Sequence, residues 1–452
     1  MHTGYTWRML STADNELLTR VGSGTPMGEL MRRYWIPAVL SREVVADGVP
    51  HRTRLLGEDL LVFRVTSGRV GTMHPLCPHR GAGLFFARNE EEGIRCAYHG
   101  WKFDVDGACL DMPSEPPESN FHTKVKLKTY RTEERRGLIW VYLGPDQDAP
   151  PPLPALEWNM VPEEHCYITK RVVQNNYVQA MEGEIDSSHS SFLHSSFKDP
   201  HRLSTKQEQG MVYKMRDRHP RFEVVDTDYG VLIGARRNAE ADSYYWRVTQ
   251  FLLPFHTIIP PYGADPNFSG HAWIPMDDTH LIAMCFTYNP VRPLTEQEIE
   301  FLKHNRDGQQ GLHPTVDGFL AHIANRPEGD WWPKDHIDVD FNVDWDLQRA
   351  TQYSGLPGIW VQDSGMQETM GSIVDRTSEH LGISDSAIIR TRRSLIRAAR
   401  MLDEHGIEPA TVRDASLFNI RSATAVLPRA EGWVEGTEKF RECLAGVNFA
   451  AV

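Results

Sequence analysis

Four residues in two short stretches have the types and spacing to hold a redox metal. They are Cys77-Pro78-His79 and Cys96-Ala97-Tyr98-His99, with sixteen residues between the stretches. Each stretch supplies one thiolate and one imidazole. A Rieske [2Fe–2S] cluster needs that order, with both cysteines on one iron and both histidines on the other. Imidazoles in place of two thiolates remove negative charge from the cluster and raise its reduction potential above that of the all-cysteine type. A structural zinc also accepts two Cys and two His. Zinc fingers, however, usually place both cysteines ahead of both histidines, and the alternating order fits them poorly. Gly81 and Gly83 follow the first stretch and Gly100-Trp101 closes the second, where the backbone has to turn tightly. Pro78 stiffens a loop that must hold two ligands.

An electron carrier implies an acceptor, and residues 186–194 supply one in the pattern Asp186-x2-His189-x4-His194. Two imidazoles plus a carboxylate make the facial triad of non-haem Fe(II) oxygenases, which leaves positions open for O2. On a helix Asp186 and His189 share a face. His189 and His194, five apart, lie about 140° apart on an ideal helix. Both reach one iron only if the helix is bulged, broken or ended between them, and the Ser-rich spacer is compatible with that. The alternative is two surface histidines on an amphipathic helix, since the chain has 20 His.

The surrounding elements have to position these groups. Residues 15–35 read as a helical lead-in broken by Gly22-Ser23-Gly24-Thr25-Pro26. Residues 60–65 and 70–74 read as strands flanking the turn 66–69, a hairpin signal. Residues 103–107 form another turn and residues 138–143 a buried strand, so the region from 35 to 144 is all-β with the metal loops at its tips. Asp146 to Pro154 is a Pro-rich, extended linker. Beyond it, residues 244–251 and 280–284 read as strands. Ser384 is the expected cap of a helix that carries Ile388, Leu395, Ala399 and Leu402 on one face and stops at Gly406. The second region is therefore mixed α+β.

Composition bounds the rest. A chain of 452 residues is long enough for two or three domains with substantial cores. The net charge of −13 disfavours nucleic acid as a partner and suits a basic electron-transfer protein. Beyond the two loop cysteines, Cys109, Cys166, Cys285 and Cys443 are scattered without a disulfide rhythm, as expected in a reducing cytoplasm. The start, Met1 to Trp7, lacks a charged segment followed by an apolar one, so no signal peptide is expected. No run of eighteen apolar residues is present, and no membrane span is expected.

Cys77-Pro78-His79-Arg80 together with Cys96-Ala97-Tyr98-His99-Gly100-Trp101 resembles the Rieske domain of the Rieske non-haem iron oxygenases. The strings from Glu182 to His189 and from Gln362 to Gly371, with Asp375-Arg376-Thr377 after the second, resemble the branch that contains phthalate dioxygenase. The likeness runs from Gly24-Thr25-Pro26-Met27 to the C-terminal helix. It implies an α+β chain in which an all-β Rieske domain precedes a helix-grip-like (START/Bet v1-type) antiparallel-sheet catalytic domain. The expected divisions are a lead-in at 1–34, a Rieske domain at 35–145, a linker at 146–158 and a catalytic domain at 159–452.

By the same resemblance, Cys77, His79, Cys96 and His99 bind the cluster, and His189, His194 and Asp363 bind a mononuclear iron. Spacing cannot place Asp363, and Glu368 and Asp375 lie nearby. Asp186 is implied to be a bridge rather than a ligand, linking His99 of the partner subunit to His189 in a homotrimer or hexamer. A buried carboxylate accepting two imidazole N–H bonds would orient both rings. Electrons from NAD(P)H are implied to arrive through a separate flavin or iron–sulfur reductase, since the chain shows no Gly-rich nucleotide fingerprint. Members of the branch act on aromatic acids, which need an Arg or Lys partner. Arg247 shares a strand face with Tyr245, Thr249 and Phe251, while Arg216 and Arg218 lie in a more polar stretch. The expected reaction is cis-dihydroxylation of a phthalate-like aromatic carboxylate. Monooxygenation or O-demethylation of a methoxylated aromatic acid would use the same metals. A Rieske electron carrier without oxygenase activity, or a zinc-stapled binding module, is the reading from another class.

Overall fold

The computed structural model describes residues 9–195, 209–261, 267–304, 331–333, 335–356 and 358–444. The segment Met1 to Trp7, read above for a leader, lies outside the described residues. Two short helices, α1 (Thr12–Thr19) and α2 (Pro26–Arg32), form the lead-in. Thr25 caps α2, its side chain accepting from the Gly28 N–H, and Pro26 takes the first helical position, where a missing N–H costs nothing.

The strands that follow are β1 (Trp35–Leu40), β2 (His51–Leu55), β3 (Glu58–Arg64), β4 (Val70–Met73), β5 (Arg88–Glu90), β6 (Gly93–Arg95), β7 (Lys102–Phe103), β8 (Cys109–Asp111), β9 (Thr129–Arg135) and β10 (Leu138–Tyr142). They make a six-stranded sheet ordered β1-β10-β9-β4-β3-β2 and a four-stranded sheet ordered β5-β6-β7-β8. The expected hairpin at 66–69 joins β3 to β4. One metal loop leaves β4 and the other joins β6 to β7, so both project from sheet ends. Their cysteines are packed in a separate apolar cluster with Leu61, Phe63, Ile94, Trp101 and Phe103.

The second region is built on a wholly antiparallel sheet. Its strands are β11 (Cys166–Val173), β12 (Arg221–Thr227), β13 (Gly230–Asn238), β14 (Ser243–Leu252), β15 (His256–Ile259), β16 (Phe268–Pro275), β17 (Leu281–Tyr288) and β18 (Ala423–Pro428). The order is β11-β17-β16-β15-β14-β13-β12. β14 divides one edge between two partners, with Gln250 to Leu252 on β15 and Ser243 to Val248 on β18. The sheet carries α3 (Tyr177–Ile185), α4 (Gln209–Arg216), α5 (Ile359–Thr369) and the long α6 (Ser386–His405). Asp385, not Ser384, occupies the N-cap of α6, because Ile383 to Asp385 already form a 3-10 turn. The helix buries Leu395, Ala399 and Leu402 and ends at Gly406, as its periodicity implies.

The two sheet systems share one apolar core. Trp140 of β10 stacks on Trp158 at 5.8 Å, and Trp158 stacks on Phe286 of β17 at 4.6 Å. The Leu56 N–H donates to the Pro275 carbonyl at 2.9 Å, and the Gly57 N–H to Met276 at 2.7 Å. Lys170, fully buried, pairs with Glu43 at 2.7 Å.

Candidate metal centres and substrate cavity

The two cluster loops have the same backbone design. In one, the Cys77 N–H donates to the Ala82 carbonyl and the Gly81 N–H returns to the Cys77 carbonyl, at 2.8 and 2.9 Å. In the other, Cys96 donates to Trp101 and Gly100 returns to Cys96, at 2.8 and 3.0 Å. Each turn closes through a glycine with positive φ, +73° at Gly81 and +78° at Gly100, a conformation that costs glycine nothing. Gly83 is ordinary extended backbone at φ −65°, so the tight turn is made by Gly81 alone. Cys77 and Cys96 are buried, whereas His79 and His99 are half-buried at the tip. Their rings lie 4.4 Å apart, and His79 stacks on Trp101 at 4.3 Å.

This donor set fits a [2Fe–2S] cluster. His79 Nδ1 is buried without a hydrogen-bond partner. Burial pushes the Cys77 thiol up to about 11 beside Cys96, so Cys77 needs a bound cation to be held as a thiolate. Among the described residues, one set of three or more His, Cys, Asp or Glu brings all its ligand atoms within 4.8 Å of one another, and these four do not form it. A single tetrahedral zinc, with bonds of about 2.0–2.3 Å, would require them to.

The set that does is His189, His194 and Asp363. α3 starts at the Asn176 cap and ends at Ile185, so the helix stops before the motif instead of breaking inside it. Asp186 occupies the C-cap in an extended conformation, and His189 opens a single 3-10 turn, His189–Ser191. The turn is held from beneath by Arg237, a buried residue absent from the sequence reading. Its guanidinium donates to the Ser187 carbonyl at 2.8 Å and the Ser187 hydroxyl at 3.1 Å. Asp363 arrives on α5, which lies close against α3. A Cβ on Gly183 would collide with the Gln367 side chain, and Gln179 Nε2 donates to the Gln367 carbonyl at 3.1 Å.

The resulting geometry is compact. His189 Nε2 and His194 Nε2 are 3.0 Å apart, and Asp363 Oδ1 is 3.6 and 3.3 Å from them. His194 Nδ1 lies 2.8 Å from Gln362 Oε1, which fixes the tautomer and turns Nε2 toward the shared point. Gln362 is itself held, its amide NH2 donating to Gln352 Oε1 at 2.7 Å and to the Leu356 carbonyl at 3.3 Å. Three acceptor atoms converging with one imidazole braced from behind fit a divalent iron with open coordination positions. The two rival carboxylates point elsewhere. Glu368 accepts from the Gln174 N–H, and Asp375 is exposed and caps Thr377.

Asp186 Oδ2 lies 3.4 Å from His189 Nδ1, on the ring edge opposite the shared point. Burial opposes charge on Asp186, but the His189 ring and the N–H groups of Ser188 and His189 hold its carboxyl below the usual range. Asp186 and the triad lie between two cavities. One is an open cleft of about 940 Å³ bordered by Phe341, Trp345 and Met366. The other, about 150 Å³, lies between the triad and the sheet and is lined by Lys214, Arg247, Thr249, His271, Trp273 and Trp360. Arg247 thus reaches the cavity beside the metal residues, its Nη2 donating to the Pro260 carbonyl at 3.2 Å. Arg216 is exposed and lines neither cavity. Arg218 lines neither, but lies against Phe192 and Tyr353 at the border of the open cleft, and the Tyr353 hydroxyl accepts from it at 2.9 Å. Lys214 and His271 were missed by the sequence reading, although Lys214 lies two residues from Arg216.

Residues 34–131 match the Rieske [2Fe-2S] domain family, and residues 141–309 and 321–447 match the family described as LigXa C-terminal domain like. The chain is 38% identical over 433 residues to the 3-chlorobenzoate-3,4-dioxygenase oxygenase subunit of Comamonas testosteroni, covering 95% of this chain and 98% of that one. The chain belongs to the Rieske oxygenases. This Rieske oxygenase is also 37% identical over 459 residues to the phthalate 4,5-dioxygenase oxygenase subunit of Pseudomonas putida, with 98% of each chain covered. Its fold is similar to that of dicamba monooxygenase bound to dicamba, at a TM-score of 0.54 and 16% identity over 83% of this chain and 99% of the other. Membership brings a Rieske [2Fe–2S] cluster, a mononuclear non-haem iron and incorporation of oxygen from O2. Among the described residues no helix is long and apolar enough to cross a membrane.

Proposed function

We propose that this Rieske oxygenase hydroxylates a single-ring aromatic carboxylate of the phthalate type by cis-dihydroxylation. The observation that carries the reading is the pair Lys214 and Arg247 on the wall of the 150 Å³ cavity that borders His189, His194 and Asp363. A cavity of about 150 Å³ accommodates one benzene-sized ring, and a guanidinium with an ammonium is the donor set a carboxylate needs. The named activities of the chlorobenzoate and phthalate relatives support the same class.

In this reading Cys77, Cys96, His79 and His99 hold the cluster, and His189, His194 and Asp363 hold the iron. The bound iron supplies the chemistry of O2 activation, using electrons from the cluster. Lys214 and Arg247 anchor the carboxylate and so set which ring edge faces the triad. Trp273 and Trp360, stacked at 5.9 Å, wall the ring from the sheet side and exclude water. Asp186 holds His189 by its Nδ1 and presents its carboxylate toward the open cleft, where His99 of the partner subunit would complete a path in a homotrimer. A separate reductase would draw electrons from NAD(P)H. The proposed divisions are 1–34, 35–145, 146–158 and 159–452, a reading supported by the two sheet systems and the Pro-rich segment between them.

A single turnover of chemically reduced protein under ¹⁸O2, with phthalates, benzoates and methoxybenzoates, tests the reading. Two labelled oxygens in a ring diol are expected. One labelled oxygen or released formaldehyde would make the protein a monooxygenase or demethylase. Cluster oxidation without product from any acid would overturn the substrate class.

A further inference from the structure

At the sheet side of the small cavity sits a buried pair, Glu184 and His271. Glu184 is on α3 and His271 on β16, and their side chains are 6% and 4% exposed. Glu184 Oε1 lies 2.8 Å from His271 Nδ1. Its other oxygen accepts from Trp273 Nε1 at 3.0 Å and from the Thr257 hydroxyl. Three donors converge on one buried carboxylate, and a charge buried in this way requires a countercharge beside it. The imidazole in direct contact is the group that supplies it. Burial alone would lower His271, but Glu184 and, after it, the neighbouring Cys285 outweigh burial and lift the ring to about 10.

With Nδ1–H committed to Glu184, the second ring nitrogen of an imidazolium is also a donor. His271 Nε2 is buried and makes no hydrogen bond within the chain. The Cys285 thiol, opposite on β17, donates to the Ala283 carbonyl at 3.4 Å and adjoins the His271 ring. His271 lines the same cavity as Arg247 and Lys214. It does so from another strand: Thr257 lies opposite His271 and Phe251 opposite Thr257, while Arg247 is four residues further along β14. The cavity therefore has two separated donor points rather than one.

We propose that His271 is a substrate-recognition residue, which donates from Nε2 to a second anionic acceptor on the ring, with Glu184 as its positioning residue. The substrate class narrows to aromatic rings bearing two acceptor groups, a benzenedicarboxylate above a simple benzoate. This rests on the preceding reading of the cavity as an aromatic-acid site.

The test is calorimetric titration of anaerobic holoenzyme with benzoate, phthalate, isophthalate and terephthalate, for the wild type and for His271→Phe, Glu184→Gln and Arg247→Met. The wild type is expected to bind at least one dicarboxylate about 10- to 100-fold more tightly than benzoate, the range of a hydrogen bond to a charged group. His271→Phe should erase that preference, with any change in benzoate affinity smaller than the loss for the preferred dicarboxylate. Glu184→Gln keeps the shape of the carboxylate while removing the countercharge, so it should erase the preference even if His271→Phe folds poorly. An unaltered Rieske spectrum identifies folded variants. A wild type without preference, variants that retain it, or parallel loss of all four acids in folded variants would overturn the role of His271. If Arg247→Met leaves benzoate binding unchanged, or the wild type binds none of the acids, the aromatic-acid reading fails as well.

Discussion

Gln362 offers the sharpest quantitative test of the proposed iron site, because one hydrogen bond would brace one of its proposed ligands. Its Oε1 lies 2.8 Å from His194 Nδ1, and its NH2 is tied to Gln352 and Leu356. The oxygen therefore cannot rotate away, and the His194 ring is held with Nε2 toward Asp363 at 3.3 Å. Gln362→Met keeps the volume and leaves the Nδ1–H facing a thioether. An orphaned buried donor costs about 1–3 kcal/mol, which is about 5- to 150-fold in iron affinity at 1.4 kcal/mol per tenfold. That range brackets the 10- to 100-fold loss typical of removing a group that orients a metal ligand. Gln362→Glu keeps an acceptor for the same N–H but sets a second oxygen against Gln352 Oε1 and the Leu356 carbonyl, so it should hold iron more tightly than Gln362→Met and no more tightly than the wild type. The assay is anaerobic Fe(II) titration of protein stripped of mononuclear iron, against a competing chelator, with the Rieske absorption as internal standard. Unchanged iron affinity in Gln362→Met would refute the bracing role and the assignment of His194 as a ligand through Nε2.

Two further outcomes are expected. Asp186→Asn should leave both metals bound yet slow product formation at least about tenfold; normal turnover would remove Asp186 from the electron path. Glu368 is a buried carboxyl whose burial raises it from 4.5 to about 7, against the Gln174 N–H. Because its folded value is raised, its contribution is complete below about pH 4.5 and is lost as pH rises through 7. Glu368→Gln should therefore match the wild type near pH 4.5 and be more stable at pH 8, by up to about 3 kcal/mol. Urea midpoints at the two pH values measure this, and an equal difference at both would refute it.

The parts of the site legible in the sequence are those whose geometry is local. The Cys-x-His and Cys-x2-His loops contain their own turns, so Cys77 to Gly81 and Cys96 to Gly100 are interpretable without knowing the fold. The hairpin at 66–69 and the stop at Gly406 are legible for the same reason. The His189 and His194 pair is also local, but its turn was expected within a helix, and the helix in fact ends at Ile185. Asp363 lies far along the chain, and only the close approach of α5 to α3 over Gly183 selects it over Glu368 and Asp375. His271 and Arg237 were missed because strand periodicity gives alternation without saying which face is inward, and Glu184 and Lys214 because only the packing of α3 and α4 decides which of their charged side chains turn toward the cavity. Arg247 could be proposed because its neighbours Tyr245 and Phe251 are aromatic. His271 shares a strand face with the aromatic Trp273, but an imidazole, unlike a guanidinium, gains its charge from a neighbour, here Glu184 far along the chain.

The Trp140–Trp158–Phe286 stack and the backbone bonds from Leu56 and Gly57 to Pro275 and Met276 lock the two sheet systems into one body. Among the described residues no hinged arm carries the cluster toward an acceptor. In an assembly of such rigid subunits the spacing from the cluster of one to Asp186 and His189 of the next would be set by the interface, so delivery of the electron would be governed by tunnelling distance and not by tethered diffusion. Raising solvent viscosity should therefore slow encounter with the external donor while leaving the internal transfer step untouched.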